Sequence, residues 1–545
     1  MEVPAPLYRL PACLLLCALA ACSRSADPEP ALHASTGQVK PASSAAVSHY
    51  AAARFADQVS FGATPALVAE IETKGFSKWI DDQFALPVST LAAAPNKFYD
   101  SNDMAAGERT GVYFQTGLYN GLINSPDQLR RRVTFALSQW VTVSNAKVDN
   151  YGIILYMNFL QEHAFGSYGT LVRDLGTNPA MGEYLDNLYN RPTSEECPAC
   201  APNENYAREL MQLFTLGVVQ LNQDGSTRRD AQGRPLETYQ QKDVEELARA
   251  LTGWNFSNTP QGFDHGRYEG KLIPDPWEPT HDRGAKTVLG GTIAAGGAPD
   301  ADLDAAVAIL MAHPNVAPFV SLRLIQHLVT SNPSAAYIAR MAAVFKSSNG
   351  DMKAMVKAVL LDAEARRGDV LGADTTTFGK LREPVLWYTG MLRGLGCTSA
   401  LKWHDTVRGV SGISFPNTQQ AFNANSVFSF YVPTDRAPGS NLLAPEQRLL
   451  NSAETSTRLG GYGLPQTAIA LESQCDTTPY GKALAASPTV FSDLVSERFF
   501  RGAMPAVLRQ NLADLAGADT GGDVQERATF LLLYALSTPY YGVLR

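Results

Sequence analysis

Apolar residues recur along most of this chain at intervals of three and four, the spacing of one helix face. Residues 64–86 (TPALVAEIETKGFSKWIDDQFAL) open with Thr64-Pro65, an N-cap residue followed by proline at the first helical position. Leu67, Ile71, Phe76, Trp79 and Ile80 continue the spacing, with Gly75 as punctuation. Residues 125–143 open with Ser125-Pro126-Asp127 in the same way, and Leu129, Val133, Leu137 and Trp140 form a stripe. The periodicity predicts further helices over 151–163, 178–189, 204–216, 243–253, 302–313, 316–330, 334–347, 351–364 and 380–395. Sustained period-two alternation is missing outside 218–239. There Asn222-Gln223-Asp224-Gly225 and Asp230-Ala231-Gln232-Gly233 are turn signals between short extended pieces, which predicts a small β-hairpin excursion. The acids of that segment fail the EF-hand spacing, so turn chemistry accounts for them. Residues 255–300 and 411–450 read as long irregular loops, and connections of that length are commonly functional. The expected fold is mainly α: a large multi-helix single domain with a hairpin excursion and long loops.

The N-terminus changes the picture of compartment. The run Leu7–Ala21 is apolar and too short for a comfortable membrane span, which suits a signal-peptide core with Arg9 as its one positive side chain. It ends in Leu19-Ala20-Ala21-Cys22, a sequence resembling the bacterial lipobox, in which cleavage leaves the cysteine to be lipidated. The expected layout is a signal peptide over 1–21, a flexible tether over 22–48, and a helical domain over 49–545, with a potential subdivision near 400. Ser23 rather than an aspartate follows the cysteine, which points to an outer-membrane lipoprotein facing the periplasm or cell surface. Membrane association is thus expected through lipid alone.

Cysteine usage agrees with export. After cleavage and lipidation, Cys197, Cys200, Cys397 and Cys475 remain, an even number that suggests disulfides. Of three pairings, Cys197–Cys200 with Cys397–Cys475 is preferred. No histidine follows Cys200 and no second CxxC exists, which argues against haem attachment and structural zinc. A net charge of −8 without a Lys/Arg-rich tract argues against nucleic acid as a partner.

The chemistry-bearing residues gather in three segments of a chain only 18% charged. In PNENYARELMQLFTLG, residues 202–217, Glu204 with Arg208 and Asn205 with Glu209 stand at i,i+4. Asp243, Glu246 and Arg249 follow on one predicted helix, and His281, Asp282 and Lys286 after a proline-rich loop. Glu204, Arg208, Glu209, Asp243, His281 and Asp282 form the candidate catalytic set. Two carboxylates suit general acid–base cleavage of a glycosidic bond, and carboxylates with His281 and Asp282 suit a divalent metal as cofactor. Arg208, Arg249 and Lys286 form a candidate clamp for an anionic group. GxSxG, HExxH, P-loop and GxGxxG motifs are all missing. The same residues also have a structural account: Asp243 as an N-terminal helix acid, Asn203 or Asn205 as a cap, and Glu204–Arg208 and Glu245–Arg249 as ordinary helix pairs. His313 reads as a helix C-cap, His327 as a core or rim histidine. His163, His265 and His404 stand in no ligand spacing. Trp254, Tyr268 and Trp277 read as a packed loop before a sugar-stacking platform.

Several segments together resemble a known family. They include RFADQVSFGATPALVAEI (54–71), LRRRVTFALSQWV (129–141), NENYARELMQLFTLG (203–217) and DVEELARALTGW (243–254). HDRGAKTVLGG (281–291), HPNVAPFVSLRLIQHLVTSNPS (313–334), FGKLREPVLW (378–387) and NSVFSFYVPTDRAPGSNLLAPEQ (425–447) complete the set. In order and content they are similar to the bacterial family called domain of unknown function 1800, from about residue 50 to the C-terminus. The resemblance implies an exported protein without an established activity. Family members often stand beside genes for a sulfatase-like exported protein, which implies work on extracellular polymers. One departure is visible: Tyr239-Gln240 stands where the family pattern has Tyr-Thr, so the helix at 243 is expected to start with a weaker cap. Two functions are therefore expected in competition. One is a hydrolase or lyase acting on an extracellular polymer such as polysaccharide. The other is a non-catalytic surface or secretion partner that binds another exported protein.

Overall fold

Proline at the first helical position and a side-chain cap fix where many helices begin. Thr64 Oγ1 accepts from Leu67 N–H at 3.1 Å and Pro65 opens α2 (Pro65–Lys74), after α1 (His49–Val59). Gly75, at φ 73°, closes α2 and starts α3 (Phe76–Ala85), as the sequence predicts. The computed structural model describes residues 46–92, 104–195, 197–257, 265–276, 280–373, 375–397, 418–458, 475–518 and 523–545. The signal peptide, Cys22, most of the tether, the boundary near 400, Trp277 and His404 lie outside them.

The described chain is mainly helical, with three two-stranded antiparallel sheets. The helices continue as α4 (Met104–Asn124), α5 (Gln128–Trp140), α6 (Asn150–His163), α7 (Tyr168–Leu175), α8 (Pro179–Tyr184) and α9 (Asn205–Glu209). After them come α10 (Gln241–Ala250), α11 (Pro299–Ala312), α12 (Val316–Leu328), α13 (Ala335–Ser347), α14 (Met352–Leu361), α15 (Ala363–Arg366) and α16 (Pro384–Gly394). Four longer helices, Thr478–Ala486, Pro488–Phe499, Ala506–Gly517 and Val524–Ser537, complete the C-terminal part. The predicted hairpin is present as two nested turns. Val219 bridges Glu237, Leu221 bridges Thr227 and Arg229 bridges Pro235, with Gly225 and Gly233 both at φ 78°. The irregular stretch after residue 253 holds two short sheets: β1 (Trp254–Phe256) on β2 (Leu272–Pro274), and β3 (Lys286–Val288) on β4 (Gly291–Ile293).

Several predicted boundaries move, each for a local reason. The helix expected from Ser125 begins at Gln128, because the Gln128 amide donates to the Leu122 and Ser125 carbonyls. The Asp127 carboxylate is then taken up by Arg131 rather than by a cap bond. The helix expected over 178–189 stops at Tyr184, since Asp186 and Tyr189 adopt φ 58° and 59°. The run 351–364 breaks at Asp362, whose carboxylate caps a separate turn. Lys380–Leu381 leaves the predicted helix to form β5, paired with β6 (Val543–Leu544) at the C-terminus.

Two helices, α5 and α16, break the amphipathic rule outright. Every residue of α5 is buried, including Arg130, Arg131 and Arg132. Each guanidinium spends donors on backbone: Arg130 on Gln161, Arg131 on Ser89 at 2.6 Å, and Arg132 on the His327 carbonyl at 2.6 Å. Beside Arg132 lies a buried ionic centre. Lys380 Nζ sits 3.1 Å from Glu383, 3.2 Å from Glu446 and 3.3 Å from the His327 carbonyl. Gln419 donates to the second Glu383 oxygen at 2.5 Å. Burial would raise Glu383, but Lys380 and Arg132 outweigh it and hold that carboxyl below its usual range. Glu446, where burial wins, is pushed up. Two disulfides join Cys197 to Cys200 and Cys397 to Cys475, the preferred pairing.

Removing the cation from this centre strands two buried carboxyls. Lys380→Met is expected to lower unfolding free energy by about 3–5 kcal/mol, measured by urea denaturation at pH 7. Adding Glu383→Gln and Glu446→Gln should recover part of the loss.

Candidate functional site

The polar opening of PNENYARELMQLFTLG becomes a short helix whose entry is held by Asn203. Its side-chain oxygen accepts from Asn205 N–H at 2.9 Å. The expected Glu204–Arg208 pair forms at 2.7 Å, and Gln241 of α10 bonds both partners. The Asn205–Glu209 pair does not form. Asn205 turns instead to Asp186, at 3.2 Å, in the strained loop after α8. The helix then widens into a π-helix over Leu210–Thr215. Tyr168, on α7, donates to the Phe214 carbonyl at 2.5 Å, and Asn315 donates to the Leu216 carbonyl at 3.1 Å. Side chains inserted into a helical ladder are a known cause of such widening, and single π-turns concentrate at functional sites.

The acids of α10 act on backbone. Asp243 accepts from Gln240 N–H at 2.8 Å, supplying a capping bond at the weak Tyr239-Gln240 start, and from Leu289 N–H at 2.7 Å. Glu246 accepts from Thr287 N–H at 2.9 Å. The expected Glu245–Arg249 pair is replaced, because Arg249 reaches both Glu246 and the 280–285 loop. Its guanidinium grips Asp282 in a two-point bond, 2.7 and 3.0 Å, and Glu246 at 2.9 Å. Burial would raise Asp282, but these bonds hold its carboxyl below the usual range.

Behind that pair lies a second ionic group. Asp302 of α11 sits 2.5 Å from Lys286 Nζ and 3.1 Å from His281 Nε2, all three buried. His281 Nδ1 faces the Thr252 carbonyl at 2.9 Å. Gly253, at φ 88°, makes this approach feasible, since a Cβ there would come within 2.9 Å of the His281 side chain. Lys286 and Arg249 therefore do not converge with Arg208 as an anion clamp. His281 and Asp282 face different partners, and among the described residues no three His, Cys, Asp or Glu side chains converge as metal ligands.

What reaches solvent is an open pocket of about 320 Å³ beside the Cys197–Cys200 loop. Glu204, Glu245, Arg249 and Asp282 line it, with Pro192, Thr193, Ala201 and Pro202 as walls. Of the candidate catalytic set, the structure brings only Glu204 and Asp282 into this pocket. Asp243 and His281 stand behind it, tied to backbone and Asp302.

Glu209 is separate and unlike the others. It is buried, its Oε2 has no hydrogen-bond partner, and burial pushes its carboxyl above the usual range despite the opposing field of Arg208. It directly precedes the π-helix. Sequence spacing named this residue for a pair that it does not make. The buried centre of Arg132, Lys380, Glu383 and Glu446 escaped sequence reasoning altogether. Its signal was present in charged residues within otherwise apolar segments, LRRRVTF and FGKLREPVLW.

Glu209 has a pH signature with a definite sign. Its folded pKa lies above the unfolded one, so the penalty is absent below the unfolded pKa, near 4.3, and develops as pH rises through the folded value. Glu209→Gln is therefore expected to raise the melting temperature at pH 7 by a few degrees. The gain should vanish near pH 4, measured by calorimetry across that range.

No single described helix is long and apolar enough to cross a membrane. Neither the curated proteins nor the solved structures contain a match to this chain. A family model does, over residues 54–543, and its span takes in the 203–217 turn, α10, the 281–291 loop and the Lys380 centre. The chain belongs to the family of proteins of unknown function called DUF1800.

Proposed function

We propose that this protein is a lipid-anchored component of the cell envelope that binds a basic segment of another exported protein at the Glu204–Glu245–Asp282 pocket. The observation that carries this reading is the state of the charges there. Three carboxylates line an open pocket: Asp282 is held by Arg249, Glu204 by Arg208, and Glu245 accepts from the neutral Gln241 amide. The groups suited to proton transfer are held away from the opening: His281 is occupied at both ring nitrogens and Asp243 at both oxygens. Such a surface favours recognition of a cation over bond cleavage. The lipobox-like Leu19-Ala20-Ala21-Cys22 and the two disulfides support the envelope location.

A second reading, a hydrolase or lyase acting on an extracellular polymer, is favoured by Glu209 alone. A buried, unpartnered carboxyl with a raised pKa next to a π-turn has the properties of a general acid.

Photo-crosslinking separates the two. A benzophenone amino acid at Thr193 should crosslink one exported protein through a Lys- or Arg-bearing peptide, whereas the same probe at Lys346 should not. Glu204→Gln with Glu245→Gln should abolish that product. A crosslink that survives both substitutions would sink the binding reading. So would turnover in a polysaccharide and ester screen that Glu209→Gln removes without loss of fold. The anchor has its own check: Cys22→Ser is expected to abolish labelling by an alkyne fatty acid and to release the chain from membranes.

A further inference from the structure

The two ends of the family match meet at a second cavity, remote in sequence from the 204–216 turn. It encloses about 220 Å³ between α1, the turn that opens α2, α16, the helix Pro488–Phe499 and Tyr541. One wall is apolar, built from Ala53, Val68 and Phe499. The opposite wall carries charge, and that charge does not balance. Arg382 and Arg501 both bond a single carboxylate oxygen of buried Asp57, at 2.8 and 2.9 Å. Arg54 shares Asp369 with Arg366 and also donates to the Arg545 carbonyl oxygen, and Arg458 has Glu454. Glu497 and Arg498 also line the cavity, and Glu497 is engaged by His49 at 2.7 Å. Two guanidiniums thus answer to one carboxylate oxygen beside the cavity, where uncompensated charge is costly.

The unused donors converge there. Arg382 spends Nη2 on Asp57, and its guanidinium lies 4.3 Å over the Tyr541 ring. A Cβ added to Gly390, which lines the cavity, would come within 2.7 Å of the Tyr541 hydroxyl and 3.2 Å of Arg382 Nη1. Both donors thus lie against Gly390, where any side chain would crowd them. Tyr541 is 3% exposed, lines the cavity, and its hydroxyl has no hydrogen-bond partner among the described residues. A phenol that faces the cavity, beside two guanidiniums sharing one carboxylate, is half of an anion site.

We propose that this cavity binds a small monocarboxylate with a short apolar body. Its carboxylate sits between the Tyr541 hydroxyl and the Arg382–Arg501 guanidiniums, and its alkyl part lies against Ala53, Val68 and Phe499. The volume limits the ligand to a few heavy atoms, and the apolar wall favours a carboxylate over a bare inorganic anion.

Calorimetric titration of the full mature chain tests this with acetate, propionate, butyrate and lactate, against propionamide, propylammonium and inorganic phosphate. Saturable one-to-one binding of carboxylates, with none of the amide or the ammonium, is expected. Tyr541→Phe keeps the ring over Arg382 and should weaken binding about tenfold or more. Ala63→Leu, at the half-buried mouth, should weaken butyrate more than acetate. Thermal unfolding of each variant confirms that it is folded. Absence of saturable carboxylate binding to the wild type overturns the proposal. So does binding that folded Tyr541→Phe leaves unchanged, or a preference for phosphate over every carboxylate.

Discussion

The Lys380 ammonium is the interaction on which the arrangement of this chain turns. It is fully buried, and a buried ammonium is tolerable only if its donors are met by charge and dipole in the right places. Those partners come from distant parts of the sequence: Glu383 on the lead into α16, Glu446 in the long loop, and the carbonyl of His327 at the end of α12. Arg132 of α5 adds its own bond to the same carbonyl. Four segments must therefore arrive together or leave a charge stranded. Apolar packing alone would tolerate small slips between helices. This centre does not, and it supplies register to a fold otherwise held by non-directional contacts.

The same logic explains how so much irregular chain stays in place. Residues 418–450 contain little regular structure, yet Gln419 and Glu446 are both bound into the Lys380 centre, and Asn332 exchanges two bonds with Leu443. Residues 280–298 are treated alike, with Asp243 and Glu246 holding backbone amides of β3–β4 and Asp302 joining His281 to Lys286. At the second place helices supply the carboxylates and the loop supplies amides and cations, whereas at the first the loop itself brings Glu446 and Gln419 to the centre. The charged residues of this chain are thus largely joints between regular and irregular segments.

Much of the helical order was legible in sequence because period and punctuation act locally. Thr64-Pro65 and Gly75 read correctly since a cap and a left-handed glycine need no tertiary information. The nested turns at Gly225 and Gly233 read correctly for the same reason. Failures came where distant partners override local preference. Glu245–Arg249 has ideal helix spacing, but Asp282 and Glu246 offer Arg249 better geometry. Burial of the whole of α5, arginines included, depends on carbonyls at residues 89, 161 and 327, which no window of sequence contains. The pocket at Glu204 was half legible: Glu204, Asp282 and Arg249 were named, whereas Pro192, Thr193 and Ala201 enter it only because the Cys197–Cys200 loop folds back.

Against this background the energetic cost of each charge becomes a guide to its role. Asp282, Glu383 and Asp57 are all held below the usual carboxylate range by arginine or lysine partners, so each contributes to stability at neutral pH. Glu209 has no such partner and detracts from it. Around Asp57 the balance runs the other way, with two guanidiniums, Arg382 and Arg501, on one carboxylate oxygen. A fold that pairs Lys286, Lys380 and Arg249 so completely has the means to pair these groups as well. Glu209 is left out of that pairing, and its unmet Oε2 is a cost the fold carries without a compensating bond.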